Sequence, residues 1–354
     1  MIRRAGVLAI AIAAIAAVTP PSLARVAPLK PSCPPGYSIV PTAGHPLCAH
    51  DAADPLPSRS RVSAAARAAP RCYGDGVSGD RVQLLYVYPR DGRVRPGISD
   101  RITRDIAPAI EGLVRARSRG QGQEVGLRFQ MPGCKLRVDL VALSESALDP
   151  EPTVNEQLGR IIDELQSLGF DARDRKYLVW ADTAAAPIRP NAQGTGPCGI
   201  ATLATVDTGP APNPFDNPTP VNYHNGVVPL YAVVFATQWA LLGGTPCWGG
   251  RNGGTVEAHE LFHTLGAVQV SAPNSNGLGH CTDEPDIMCY SEGGVFTRNV
   301  CTEARTELLD CGGDDYFNSN PPAGSYLATH WNTARSSFLG EALTDDVPVK
   351  FRSP

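Results

Sequence analysis

Residues 256–266 read VEAHELFHTLG, the pattern of a short helix that lies in a protein core. Apolar residues fall on nearly every side of a helix built from this stretch, and such a helix is normally buried. His259 and His263 are four residues apart, so they lie on the same helical face. Two imidazoles in an apolar setting need polar partners, and one shared zinc ion would satisfy both. The stretch therefore predicts a zinc-binding helix.

Glu260 follows the first histidine of this pair. From that position its carboxylate can reach a water bound to the metal rather than the metal itself. Zinc lowers the pKa of a bound water towards neutrality and polarises a carbonyl group. A neighbouring carboxylate can then accept the water's proton and pass it to a leaving amine. We predict Glu260 as the general base, with His259 and His263 as metal ligands.

Residues 259–266, HELFHTLG, resemble the first two-thirds of HExxHxxGxxH, the signature of the metzincin zinc peptidases. Residues 286–290, DIMCY, resemble the Met-turn of that family, in the form that astacins and serralysins have. The resemblance implies that Gly266 ends the helix, so that the chain turns back and brings in a third ligand. It also implies that Met288 lies beneath the zinc and that Tyr290 binds the metal or stabilises the oxyanion.

The third ligand departs from the family pattern. Gln269 stands where the family has His or Asp, and a neutral amide is a poor zinc ligand. Imidazole and carboxylate are the usual ligands, so the candidates are His280, which we favour, and then Asp283 or Asp286. A longer loop over residues 269–279 would carry the chain out and back to His280.

The rest of the pattern predicts an α+β protein. Strands are expected over residues 82–88, 125–130, 136–143, 177–181, 200–206 and 230–236, and helices over residues 102–114 and 153–168. Thr153 and Glu156 form a capping box for the second helix, whereas Pro108 is expected to kink or shorten the first. The resemblance implies a metzincin-like domain of two lobes. One lobe has a mixed twisted sheet and the histidine helix; the other is loop-rich, C-terminal and tied by disulfides.

The N-terminus predicts that the protein is exported. The arginine-rich, lysine-poor composition of the whole chain indicates a bacterial source. Basic residues are followed by an apolar run to Val18 and by small residues up to Ala24, as in a signal peptide. The segment after it is rich in Pro, Ala and Arg. The predicted organisation is a signal peptide over residues 1–24, a linker or pro-segment over 25–70, a metallopeptidase-like domain over 71–345 and a C-terminal tail over 346–354.

The sequence has ten cysteines, an even number that indicates disulfides in an exported protein. Pairing of nearest neighbours is the simplest hypothesis. It gives Cys33–Cys48, Cys72–Cys134, Cys198–Cys247, Cys281–Cys289 and Cys301–Cys311.

Charge and hydropathy exclude other classes of function. A formal net charge of −4 argues against nucleic acid, and no segment after the signal peptide is apolar enough to span a membrane. Asp310, Asp314 and Asp315 are candidate calcium ligands, although a solvated turn is the simpler interpretation. His45 and His50 flank Cys48 and could bind a metal weakly, although nothing in their spacing requires one.

The predicted function is hydrolysis of peptide bonds in extracellular polypeptides by a zinc endopeptidase. One alternative, which Gln269 favours, is a secreted binding or structural protein that keeps the scaffold without catalysis. Another is a metallohydrolase that acts on a non-peptide amide.

Overall fold

The structure is a computed structural model, and it describes residues 33, 37–43, 47–50, 68–187, 196–203, 229–238, 246–248, 254–284, 286–291, 295–300 and 309–341. These residues belong to one compact unit that begins at Ser32. The predicted signal peptide and the predicted C-terminal tail lie outside the described residues.

The described chain is a mixture of strands and helices joined by loops. The strands are β1 (Tyr37–Val40), β2 (Leu47–His50), β3 (Arg81–Pro89), β4 (Val125–Leu127), β5 (Val138–Leu143), β6 (Arg175–Ala184), β7 (Gly199–Ala201), β8 (Leu230–Thr237), β9 (Asp283–Glu284), β10 (Arg298–Asn299) and β11 (Leu339–Glu341). The α-helices are α1 (Ile98–Arg101), α2 (Ala107–Gly120), α3 (Glu145–Leu148), α4 (Val154–Ser167), α5 (Thr255–Thr264) and α6 (Tyr326–Thr329). A π-helical turn, Ile102–Ile106, joins α1 to α2, and 3-10 turns lie at Pro132–Cys134 and Thr333–Arg335.

The central sheet has the strand order β5-β3-β6-β8-β7. The first four strands are parallel to one another, and β7 runs antiparallel to β8 at the edge. Strands β3, β6 and β8 are apolar on both faces because helices cover both sides of a parallel sheet. Leu84 and Tyr86 of β3 lie in one core with α2 and α5, whereas Leu85 and Val87 lie in a second core with α4. The histidine helix α5 thus packs on one face of the sheet.

The α+β class predicted from the sequence is confirmed, and so are several of its elements. Strands β3, β6 and β8 cover the strands predicted over residues 82–88, 177–181 and 230–236. The strand predicted over residues 200–206 is observed as β7, Gly199–Ala201, and its last residues lie outside the described part of the chain.

Two helix signals in the sequence have their expected effects. The Thr153 hydroxyl accepts from the Glu156 N–H at 3.3 Å, the N-cap bond of the predicted capping box, and it donates to Glu156 Oε2 at 2.7 Å. Pro108 lies in the first turn of α2, directly after the π-helical turn. Proline cannot donate a backbone hydrogen bond and its ring crowds the preceding turn, so the regular α-helix is interrupted there.

Strands β1 and β2 form an antiparallel hairpin within the segment predicted as a linker or pro-segment. Its apolar side chains Val40, Leu47 and Ala49 are buried in the same core as α4. The Ala43 N–H also donates to Asp163 Oδ1 of α4 at 2.7 Å. This hairpin is therefore folded onto the domain.

Within the described residues, four disulfides join Cys33 to Cys48, Cys72 to Cys134, Cys198 to Cys247 and Cys281 to Cys289. These four predicted pairings are confirmed, and they are compatible with an exported protein. Cys301 of the fifth predicted pair lies outside the described residues. None of the described helices combines the length and the apolar character that crossing a bilayer requires.

Candidate metal centre

Three imidazoles converge in the interior next to the sheet. His259 and His263 come from α5, and His280 comes from the loop that follows it. The distances between their Nε2 atoms are 3.1 Å (His259 to His263), 3.2 Å (His263 to His280) and 3.3 Å (His259 to His280). Nitrogen ligands about 2.0–2.1 Å from a tetrahedral zinc ion lie roughly 3.3–3.4 Å from one another. The donor set and its spacing therefore fit a zinc ion.

The turn after α5 sends the chain back towards His280. Gly266 has a φ of 81°, a left-handed conformation that favours glycine at the end of a helix. A methyl group at Gly266 would also lie 2.6 Å from Trp331 Nε1. Trp331 Nε1 donates to the Leu265 carbonyl at 2.9 Å, so a side chain from far along the sequence completes the helix end. Gly266 ends the helix, as the resemblance implies.

Local hydrogen bonds hold the loop that carries His280. Asn276 Oδ1 accepts from the Leu278 N–H at 2.7 Å and from the His280 N–H at 3.2 Å. One residue later, the Cys281 N–H donates to the Met288 carbonyl at 3.0 Å, and the Cys281–Cys289 disulfide joins the same two segments. The position of His280 thus depends on the segment that resembles a Met-turn.

The orientation of the His259 ring follows from a backbone carbonyl. His259 Nδ1 lies 2.6 Å from the carbonyl oxygen of Ile287. A carbonyl accepts but cannot donate, so Nδ1 carries the hydrogen and Nε2 presents its lone pair to the other two rings. Partners of this kind are what fix the tautomer of a metal-binding histidine.

Two residues of the segment that resembles a Met-turn, Tyr290 and Met288, are buried. The Tyr290 hydroxyl is 2.8 Å from His280 Nε2, and the two ring centroids are 4.1 Å apart. Met288 is completely buried in the core that also contains Phe262 of α5. The structure therefore brings Tyr290, a residue predicted for catalysis, to the three imidazoles.

Glu260 is fully buried on α5, beside His259. Its side chain packs directly against Gly199 of the edge strand β7, where an added methyl group would overlap the carboxylate. Its Oε2 lies 3.7 Å from Nε2 of His50. The predicted general base is thus enclosed between the edge strand and the N-terminal hairpin.

His50, in the sequence only a possible weak metal ligand beside Cys48, lies at this site, and His45 lies outside the described residues. His50 ends β2, and its ring centroid lies 4.6 Å from that of His263 and 5.4 Å from that of His280. His50, His263 and His280 can each offer a nitrogen within 4.8 Å of the others. The spacing of His50 from Cys48 does not predict that His50 lies at this site, because only tertiary packing brings the hairpin to α5.

The alternative ligand Asp286 has a structural role in the C-terminal loops. Its Oδ1 accepts from the Met288 N–H at 2.8 Å and from the Tyr316 hydroxyl at 2.5 Å, and its Oδ2 accepts from the Cys311 N–H at 2.8 Å. Burial and then the nearby charge of Asp310 raise the pKa of Asp286 to about 7. Asp283, the other alternative, shares a hydrogen bond with Asp315, and burial raises its pKa.

The candidate calcium loop is organised by one carboxylate. Asp310 accepts hydrogen bonds from five successive backbone N–H groups, those of Gly313, Asp314, Asp315, Tyr316 and Phe317, at 2.6–3.0 Å. Both oxygens of Asp310 are therefore used within the protein. Carboxylate oxygens of Asp310, Asp314 and Asp315 lie within 4.8 Å of one another, so the three residues remain candidate metal ligands, but Asp314 is exposed.

Comparison of the chain with protein family models, with curated proteins and with solved structures finds no match.

Proposed function

We propose that the chain is a secreted, zinc-dependent endopeptidase of the metzincin kind, which hydrolyses peptide bonds in extracellular polypeptides. The observation that supports this most is the mutual spacing of 3.1–3.3 Å among the Nε2 atoms of His259, His263 and His280. Three neutral donors in one buried place match the ligand number of a catalytic zinc site. The proposed two lobes are the sheet with its helices and the disulfide-tied loops after α5.

The roles of the residues follow from their chemistry. A bound zinc would polarise the scissile carbonyl and lower the pKa of a water molecule. Glu260, adjacent to a ligand, would take the proton from that water and deliver it to the leaving amine. Tyr290 has its hydroxyl 2.8 Å from His280 Nε2, so it can donate to an oxyanion that forms there.

The alternative is a secreted protein that binds zinc without hydrolysing peptides. The observation that favours it is the burial of the site: Glu260, His263 and His280 are each 0% exposed. A metallohydrolase with a non-peptide amide substrate would share the same donor set.

The test compares zinc content and peptide cleavage in four proteins. They are the wild type, Glu260→Gln, His50→Ala and the double variant; His50 is included because it lies against Glu260. We expect about one zinc per chain in all four, since Glu260 is not a ligand and three imidazoles remain when His50 is replaced. At least one of the two proteins that keep Glu260, the wild type and His50→Ala, should cleave unfolded polypeptides. The two proteins with Glu260→Gln should not cleave them.

His263→Ala is the second arm, with His330→Ala as the matched control because His330 bonds locally to Thr329 and Tyr326. His263→Ala should lose zinc and His330→Ala should keep it. Zinc without cleavage in every background would favour the binding protein or the non-peptide substrate, and a wild type without zinc would refute the proposal.

A further inference from the structure

The hairpin of β1 and β2 places two facing residues on the candidate metal centre. Tyr37 pairs directly with His50 in the hairpin register. His50 stacks near His263, with ring centroids 4.6 Å apart. A methyl group at Gly279 would lie 3.0 Å from Tyr37 Oη and 3.5 Å from His263 Cε1, so Tyr37 and His263 border the same glycine. Both strands of the hairpin thus reach the site.

Within the described part of the chain, the hairpin borders a small cavity next to the metal centre. The cavity beside His263 measures about 10 Å³, and it is lined by Tyr37, Leu203 and residues 266–269. Such a volume holds roughly one water molecule. As the described residues line it, this cavity is too small for a polypeptide backbone.

The hairpin also occupies the edge of the sheet. Ala49 forms an antiparallel bridge with Thr202, and the Leu203 N–H donates to the Cys48 carbonyl at 3.0 Å. Thr202 directly follows β7, whose Gly199 packs on Glu260. An extended peptide binds to a sheet by adding a strand at such an edge. The chain's own Cys48 and Ala49 pair in this way at the end of β7.

The covalent connections of the hairpin are consistent with removal. Its disulfide joins Cys48 to Cys33, just before β1, whereas the other three described disulfides, Cys72–Cys134, Cys198–Cys247 and Cys281–Cys289, lie in the remainder of the domain. One cut of the main chain after His50 would therefore leave the hairpin attached by non-covalent contacts alone.

We propose that the hairpin is an intramolecular inhibitor of the metal centre and that His50 is a fourth zinc ligand, which takes the coordination position a catalytic water needs. The inference rests on the proposed zinc site. Catalytic zinc sites keep one position open for water, whereas sites with four protein ligands are closed. Displacement of the hairpin would open the position beside Glu260 and free the edge of β7 for substrate.

The test counts the ligands of the metal in the full-length protein. X-ray absorption of the zinc protein and the visible spectrum of the cobalt protein are compared for the wild type, His50→Ala and the control His330→Ala. We expect four imidazoles in the wild type and in the control, and three imidazoles with one oxygen in His50→Ala. A chelator should remove zinc from His50→Ala at least about tenfold faster, because one ligand is missing.

A second variant leaves every side chain of the site unchanged. Gly159 lies within α4, and a methyl group there would overlap the Pro41 carbonyl of the hairpin. Alanine normally stabilises a helix relative to glycine, so Gly159→Ala should push the hairpin away without unfolding α4. Gly120→Ala is the matched control, since a methyl group at Gly120 meets no atom within 4 Å. Gly159→Ala should shift the cobalt spectrum in the direction of His50→Ala, and Gly120→Ala should not.

The outcomes separate this inference from the proposed function. A ligand count and chelation rate that are the same in His50→Ala as in the wild type would overturn the inhibitor, whether or not either protein cleaves peptides. A change from four imidazoles to three, with no cleavage in any variant, would support His50 as a ligand and refute the peptidase. Cleavage that rises at least about tenfold in His50→Ala, together with the change in ligands, supports both.

Discussion

Two buried clusters of ionisable side chains lie after β8, and they differ in what their ligand atoms face. In the histidine cluster, the Nε2 atoms of His259, His263 and His280 face one another. In the acidic loop, the carboxylate oxygens of Asp286 and Asp310 face backbone N–H groups and the Tyr316 hydroxyl. Both regions contain residue types that bind metals. The direction of the donor atoms separates the candidate metal centre from a network that holds loops.

The largest expected effect is on zinc affinity. His280→Ala should weaken zinc binding at least about a thousandfold, since losing a mere hydrogen-bond partner of a ligand already costs 10–100-fold. Asp283→Asn, a change at the alternative ligand, should bind zinc like the wild type. Competition titration with a fluorescent chelator measures both, and loss of zinc from Asp283→Asn instead would reverse the roles of the two clusters.

The next effect is on stability in the acidic loop. Asp310→Asn should lower the free energy of unfolding by about 3 kcal/mol, because one charged oxygen that accepts three N–H groups is lost. Asparagine tolerates the φ of 46° at this position, so backbone strain does not contribute. Urea unfolding measures the change. Zinc content should stay at the wild-type level, and a stabilisation of the wild type by millimolar calcium would show that this loop is a metal site after all.

A third effect depends on pH. The pKa of Asp286 is raised from 3.8 to about 7, so between these values the folded protein keeps a proton that the unfolded chain has released. This group therefore makes the protein less stable as the pH rises through that window. Asp286→Asn has no carboxyl group to ionise there, so it does not lose stability in this way. The free energy of unfolding of the variant minus that of the wild type should therefore rise by about 2 kcal/mol between pH 5 and pH 7. Urea unfolding at a series of pH values checks the slope; parallel curves would contradict the raised pKa.

The smallest effect is expected at Gln269. Its Nε2 donates to the Gly266 carbonyl at 2.7 Å, so it serves the turn after α5. Gln269→Ala should cost about 1 kcal/mol of stability, the net value of one hydrogen bond, and should leave zinc affinity unchanged. A large loss of zinc would mean that Gln269 takes part in the metal centre.

Local patterns predict much of this molecule. The i, i+4 spacing of His259 and His263 fixes their common face, and the capping box of α4 is visible in the sequence because both effects act within one helical turn. The choice of His280 rests on ligand chemistry, and the structure brings that residue to the other two. The sequence does not place His50 at this site, because its position depends on contacts of the hairpin with α4 and with Thr202, far along the chain. The role of Asp310 depends on its left-handed φ and on five aligned N–H groups, which composition does not reveal.

The bond from Trp331 Nε1 to the Leu265 carbonyl has a consequence for how the protein is made. Residues 259–264 leave the ribosome before residue 331 does, so the helix that carries two imidazoles lacks its C-terminal partner until synthesis is nearly complete. The hairpin at residues 37–50 emerges earlier still. A domain folds as a unit, so the helix end is completed only when the last part of the domain has emerged. If the hairpin is the inhibitor proposed above, residues 37–50 are already present when the three imidazoles come together.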